Sequence, residues 1–266
     1  MSLITIHPTA AIDPRAKLGA GVEVGPYSVI GPQVVLGDNV RVHSHVVING
    51  ETEIGEGCEI FPFAAIGGVP QDKKYRGERS RLVIGARNVI REHVTMNGGT
   101  EGGGHLTSVG NGGLFMAGAH VAHDCRIGDN VILANHVTLA GHVSVEDHAI
   151  LGGLSAVHQW ARIGAHAFIG GMSGVENDVI PFGMALGNRA HLAGLNIVGL
   201  KRHGLEREQI HALRKAYRLL FSAEGTLMER VEDVEKMFEG DAAVQRIVGF
   251  IKASSDRSFC VPRNNA

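Results

Sequence analysis

The amino-acid sequence predicts a mainly β protein, a parallel β-helix of about eight coils with a helical segment behind it, and three observations carry the prediction. An apolar residue, usually aliphatic, returns every six positions. Four positions after it stands a small residue. Aromatic residues make up only 5% of the chain while glycine numbers 37, so the core has to be a narrow prism rather than a broad sandwich. With 44% hydrophobic residues over 266 positions, the chain buries an ample core without disulfide staples.

The first run of hexads is Ile12, Leu18, Val24, Ile30, Leu36, Val42, Ile48, Ile54, Ile60 and Ile66. Its small partners are Ala16, Val22, Ser28, Val34, Val40, Val46, Thr52, Cys58 and Ala64. The register resumes in phase at Ile84, Ile90 and Met96. After a second break it continues from Val109 through Phe115, Val121, Ile127, Leu133, Leu139, Val145, Leu151, Val157, Ile163 and Ile169 to Val175. Each hexad is read as one short strand and corner of a triangular coil. Three hexads make an 18-residue coil, and coils stack at about 4.8 Å, the spacing of neighbouring strands.

Two stretches interrupt the period, residues 67–81 and the glycine-rich residues 98–108. Insertions in a solenoid go to loops and often mark its binding face. Pro181 is expected to close the last coil, with residues 182–199 irregular. Three helices are then expected, carried by Ile210, Leu213, Tyr217 and Leu220, by Leu227, Val231, Val234 and Phe238 behind Thr226 as N-cap, and by Val244, Ile247, Val248 and Ile251 behind Asp241. The tail from Ser254 reads as loose. The expected division is a β-helix over residues 1–185 and a helical domain over residues 186–266.

Twenty-five basic against 27 acidic residues argue against wholesale binding of nucleic acid or membrane. Locally, Lys201, Arg202, Arg207, Arg214, Lys215 and Arg218 concentrate positive charge on the helical segment, suited to an acidic protein partner. Cys58, Cys125 and Cys260 form no disulfide pattern and read as reduced core residues. The N-terminus lacks a signal-peptide pattern, and no apolar run reaches about 18 residues. A cytoplasmic protein with no stable membrane insertion is expected.

Chemistry is expected where residues 115–127 place His120, His123 and Asp124 together on an otherwise aliphatic scaffold. Positions 18 apart stack, so His123 falls in one column with Gly141 and Gln159, and Asp124 with His142 and Trp160. The result is a wall of His123, His142, His158 and Gln159 with His120 beside it, expected to face solvent or a neighbouring chain. Among the 15 histidines, His43, His45, His148 and His166 are read as ordinary surface residues. A three-histidine zinc site built on His120 and His123 with a third ligand from another chain is the alternative, although no ligand spacing favours it.

The ordered motifs then carry a resemblance. Gln71-Asp72-x-Lys74-Tyr75, His120-Val-Ala-His123-Asp-Cys, Leu139-Ala-Gly-His142-Val, Val157-His158-Gln159 and the segment from Asn196 to Arg202, on a hexad solenoid with helices behind it, closely resemble the UDP-N-acetylglucosamine O-acyltransferase family. The resemblance covers residues 1 to about 255. It implies a left-handed coil, against the usual right-handed crossover, and a homotrimer with active sites between subunits. It also implies a reaction, in which an (R)-3-hydroxyacyl group leaves the phosphopantetheine thioester of acyl carrier protein for the 3-hydroxyl of UDP-N-acetylglucosamine, opening lipid A synthesis. No metal or cofactor is implied.

By the same resemblance His123 is the general base, Gly141 lends a backbone N–H to the oxyanion, and Asp124 orients the imidazole or touches substrate. Gln71, Asp72, Lys74, His120, His142, His158 and Gln159 become substrate contacts, and Asn196 and Arg202 contacts to the nucleotide. Gly171 leaves room for a long acyl chain. The sequence departs from the family pattern at Asn97 and Gly98 (commonly His-Arg), Arg189 (often His, at the end of the acyl groove), Val198 (commonly Glu) and His203 (commonly Arg). The departure at Asn97 leaves open a 3-amino analogue of the sugar as acceptor. The N-acyltransferase of the same pathway carries an extra N-terminal domain for which hexads starting at Ile12 leave no space. A zinc-dependent γ-type carbonic anhydrase and a non-enzymatic scaffold are the remaining alternatives.

Overall fold

The structure, a computed structural model, describes residues 3–263. The chain visits three parallel sheets in turn, one hexad to each, and winds a left-handed β-helix. The sheets hold 11, 9 and 8 strands, most of them two residues long. Strands so short carry little of the twist that imposes right-handed crossovers on longer ones. The hexad apolar residues pair in register, Ile30 with Ile48 and Val121 with Leu139 among them. The first rung comes one hexad earlier than the sequence indicated, where Thr5–Ile6 pairs with Glu23–Val24. Ile84 pairs with Ile54 and Met96 with Ile66. Residues 69–80, between the strands Ala65–Gly68 and Arg81–Ile84, therefore bulge from a single corner, and Ile84 is simply the next rung after Ile66.

Within the hexads the core is the expected aliphatic prism, with the fully buried Phe115 its aromatic member, while Phe182 and Phe250 are buried beyond the hexads. The Phe115 ring fits because the preceding small position is Gly113, where a Cβ would stand 2.8 Å from that ring. At the corners a residue recurs in the left-handed region, including His45, His93, His105, Asp124, His136, His142, His148 and His166. Asn, Asp and His are the non-glycine residues that enter this region most readily. Much of the histidine content thus follows from corner geometry. His120, His123 and His158 do not have positive φ, so a corner requirement does not account for them.

Residues 182–199 are more ordered than the sequence suggested. Gly183–Leu186 continues the 11-stranded sheet beside Phe168–Ile169, and His191–Leu195 returns antiparallel to it. The expected boundary at 185/186 falls inside this hairpin, and the helical part begins at α1, Ile197–Arg202. Then follow α2 (Arg207–Leu220), α3 (Leu227–Met237) and α4 (Ala242–Lys252). Thr226 and Asp241 cap α3 and α4 as expected, Thr226 in a reciprocal box with Glu229. The segment after α4 is strapped back onto the β-helix rather than loose. Asp178, fully buried, accepts from Ser255 Oγ at 2.6 Å and Arg162 Nε at 2.7 Å, and its backbone pairs with Ser258 and Cys260. All three cysteines are free and buried.

Candidate active site

Asp124 occupies a left-handed corner with φ 61°. That turn aims its carboxylate along the prism edge, and the inserted residues 98–108 fold over it. Thr100 donates to it twice, N–H to Oδ1 at 2.7 Å and Oγ1–H to Oδ2 at 2.6 Å, while the Asp124 N–H donates to Thr107 Oγ1 at 2.8 Å. The loop has to be glycine-rich here because a Cβ on Gly103 would fall 2.1 Å from the Asp124 carboxylate. His123 and Asp124 are consequently only 6% and 5% exposed. The expectation that His123 faces outward is corrected by this cover, which the 18-residue column arithmetic did not include.

His123 Nδ1 lies 2.7 Å from Asp124 Oδ2. A carboxylate only accepts, so the ring proton sits on Nδ1 and the lone pair on Nε2. The Cε1–Nε2 edge of the ring lies against Gly141 in the next coil, where a Cβ would stand 2.4 Å from Cε1 and 2.6 Å from Nε2. Glycine at 141 is thus the space in which the imidazole lies. Its neighbours' N–H groups are spent, Ala140 on Val157 O and His142 on His123 O. Among the described residues the Gly141 N–H has no such partner and is free to donate.

His142 stands edge-on to His123, with centroids 5.2 Å apart, and its Nε2 is 3.4 Å from Asp124 Oδ2. Its other side stacks on Trp160 at 3.8 Å. Burial holds its pKa below the ordinary imidazole range against the opposing pull of Asp124. His120 accepts or donates at 2.7 Å to Thr95 Oγ1, and burial lowers its pKa as well. Asp72, from the first inserted loop, accepts from the Lys74 N–H at 2.9 Å. That bond first, then the nearby His123, keeps it below the usual carboxylate range. Gln71 and Lys74 are exposed on the same loop.

His158 and Gln159 follow one coil on, held by Arg257 from the C-terminal strap. Asn97 is buried, and its Nδ2 donates to Val69 O at 3.0 Å. That bond fastens the base of the 67–81 loop, while the buried Asn97 Oδ1 has no partner among the described residues. Asn196 caps α1 through Gly199 N and donates to His166 O. His203 packs against His148 and His166 at 4.9 and 4.6 Å. These two, with Arg202 beside them, belong to the corner column of His148 and His166, a different edge of the prism from the column of Asp124, His142 and Trp160. One chain therefore does not bring the nucleotide candidates to His123. A Cβ on Gly171 would meet Gly153 O at 3.2 Å and Gly153 N at 3.9 Å, and Arg189 pairs with Glu176 at 2.6 Å.

Thr100, Thr107, Trp160 and Arg257 belong to the site or its support without having been singled out from the sequence. Trp160 was legible from its column with Asp124 and His142. Among the described residues, His123, Asp124 and His142 are the one group whose ligand atoms could gather round a metal ion. Those same atoms are engaged in the His123–Asp124 hydrogen bond and the contact between Asp124 and His142, so a metal would have to displace the arrangement that leaves His123 Nε2 basic.

A buried imidazole oriented by a carboxylate, beside a free backbone N–H on a hexapeptide β-helix, is an arrangement suited to an acyltransferase of the hexapeptide class. Residues 107–141 match the bacterial transferase hexapeptide model, and residues 178–260 match the second domain of UDP N-acetylglucosamine O-acyltransferase. The acyl-carrier-protein-dependent UDP-N-acetylglucosamine O-acyltransferase of Caulobacter vibrioides is 54% identical, over 97% of this chain and 98% of its own. The solved UDP-N-acetylglucosamine acyltransferase of Francisella novicida superposes with a TM-score of 0.95 at 37% identity, over 98% of this chain and 95% of its own. That of Moraxella catarrhalis gives 0.93 at 40%, over 96% and 99%. The chain belongs to the UDP-N-acetylglucosamine O-acyltransferase family.

Proposed function

We propose that this chain transfers an (R)-3-hydroxyacyl group from acyl carrier protein to the 3-hydroxyl of UDP-N-acetylglucosamine, the first step of lipid A synthesis. The observation that carries it is the His123–Asp124 pair at 2.7 Å, with the Cε1–Nε2 edge of the ring lying against Gly141. His123 Nε2 takes the proton of the sugar hydroxyl as its oxygen attacks the thioester carbonyl carbon. Asp124 stabilises the imidazolium that results, and the Gly141 N–H donates to the developing oxyanion. Collapse re-forms the carbonyl and expels the phosphopantetheine thiolate, which leaves as thiol with the proton held by His123. Ester and free thiol account for every atom, so the cycle needs neither metal nor cofactor.

Asn196, Arg202 and His203 lie on a different edge from His123, which favours a site shared between copies in a homotrimer. The exposed Arg207, Arg214, Lys215 and Arg218 on α2 supply a basic surface for the acidic carrier. No helix among the described residues is long and apolar enough to cross a membrane, and we place the enzyme in the cytoplasm. The test is acyl transfer offered to both UDP-N-acetylglucosamine and its 3-amino analogue. An alkali-labile ester on the ordinary sugar is expected, while an amide formed on the analogue alone would overturn the acceptor assignment.

A further inference from the structure

The strap after α4 ends in a contact that the site's chemistry does not yet use. Arg257 reaches across to the coil that carries His158 and Gln159, its Nη2 at 2.6 Å from His158 Nδ1 and its Nε donating to Gln159 O at 2.9 Å. The backbone that aims it is fixed on both sides. Arg257 N–H donates to Ser255 Oγ at 3.1 Å, Ser255 donates to the buried Asp178, and Asp178 pairs with the backbone of Ser258 and Cys260.

A guanidinium has five N–H donors, no acceptor and no accessible neutral form. A nitrogen 2.6 Å from one of them must present its lone pair. The rival arrangement, an Nδ1–H donating to Gln159 O at 3.2 Å, is longer, and that carbonyl already receives Arg257 Nε. His158 Nδ1 is therefore an acceptor, and the ring proton sits on Nε2. This is the same nitrogen that His123 leaves bare, since His123 carries its proton on Nδ1 toward Asp124. The two histidines are held in opposite tautomers, one by an obligate acceptor and the other by an obligate donor.

We propose that Arg257 is a positioning residue for acyl transfer, locking His158 as a hydrogen-bond donor through Nε2 toward an oxygen of the bound substrate. The proposal rests on the assignment of His158 as a substrate contact. It adds that the C-terminal strap, distant in sequence from every hexad, sets which nitrogen of His158 can donate.

The experiment compares Arg257→Met, Arg257→Lys, His158→Ala and the double variant Arg257→Met/His158→Ala in the full-length protein. Arg257→Met should lower kcat/KM on the order of 10-fold, the worth of one lost hydrogen bond at the upper end of the neutral range. Arg257→Lys, whose ammonium also only donates, should recover most of that loss. In the His158→Ala background the Arg257→Met change should add less than about 2-fold, since its effect passes through the ring. Long-range nitrogen–proton NMR of histidine-labelled protein should show His158 with a bare Nδ1 in the wild type and a tautomer mixture in Arg257→Met. An equal Arg257→Met penalty with and without His158 would overturn the proposal, as would an unchanged His158 spectrum. If His158→Ala leaves kcat/KM intact, the substrate assignment fails and the proposal with it, while the spectrum still reports separately whether Arg257 holds the ring.

Discussion

Replacing Gly141 with alanine separates the two duties the structure gives that position. Alanine keeps the backbone N–H and suits the backbone, because Gly141 is not among the glycines in the left-handed region. Its Cβ, however, would stand 2.4 Å from His123 Cε1 and 2.6 Å from Nε2. Ordinary contact begins near about 3.5 Å, so the imidazole has to retreat by roughly 1 Å, against the 2.7 Å bond that ties its far side to Asp124. A displacement of about 1 Å at a reacting group is worth on the order of 10²-fold in rate. Steady-state kinetics with acyl carrier protein thioester and UDP-N-acetylglucosamine should show kcat down by about that factor. KM for the acceptor should move far less, and the cooperative thermal transition should persist. Gly249→Ala in α4 is the control, because a Cβ there meets nothing within 4 Å and its φ is not in the left-handed region. A Gly141→Ala enzyme with kcat within about 3-fold of the wild type would refute the placement of the reacting imidazole against Gly141.

Thr100→Val keeps the shape but removes the Oγ1–H bond to Asp124 at 2.6 Å. A bond to a charged group is worth about 1.5–3 kcal/mol, so unfolding free energy should fall by about that amount and kcat by about 10-fold; unchanged values in denaturant titration and kinetics would remove Thr100 from the site. Arg214→Glu/Arg218→Glu should raise KM for acyl carrier protein at low salt, with the difference shrinking as ionic strength rises; an unchanged KM at low salt would move the carrier's docking site elsewhere. Burial, then His148, His203 and Arg246, push the His166 pKa from 6.5 down to about 4. The unfolded chain therefore binds a proton there before the folded one does, and stability should fall as pH drops from about 6.5 to 4. His166→Gln should flatten that acid limb of the melting curve, and a limb of unchanged slope would show that another group sets it.

The β-helix could be read from the sequence because each hexad repeats the same packing problem, and Ile30, Ile48 and Val121 solve it in register. The site was legible where it follows the columns. His123 over Gly141, and Asp124 over His142 and Trp160, need only the coil length. What covers them was not legible, since residues 98–108 follow no period and the two bonds from Thr100 depend on how a glycine-rich loop folds back. Asn97 drew notice for its departure from the family pattern, and the structure adds that its Nδ2 is held by Val69 O inside the fold while its Oδ1 is buried without a partner among the described residues. The tail from Ser254 looked loose because it lacks apolar periodicity. Its order comes instead from the buried carboxylate of Asp178, a long-range polar contact that no local pattern announces. The hairpin of Gly183–Leu186 and His191–Leu195 was missed because its strands leave the hexad spacing while staying in the same sheet.

The most direct test of the central claim is the turnover of His123→Ala at saturating acyl carrier protein thioester and UDP-N-acetylglucosamine. Because the ring is buried, circular dichroism, sedimentation and acceptor calorimetry accompany the kinetics, so that lost chemistry is distinguished from lost structure. Loss of a general base is worth on the order of 10²- to 10⁴-fold in rate, and kcat should fall by that factor while the fold, the sedimentation behaviour and acceptor binding match those of the wild type. A His123→Ala protein that keeps near-normal turnover would show that the proton leaves the sugar hydroxyl by another route.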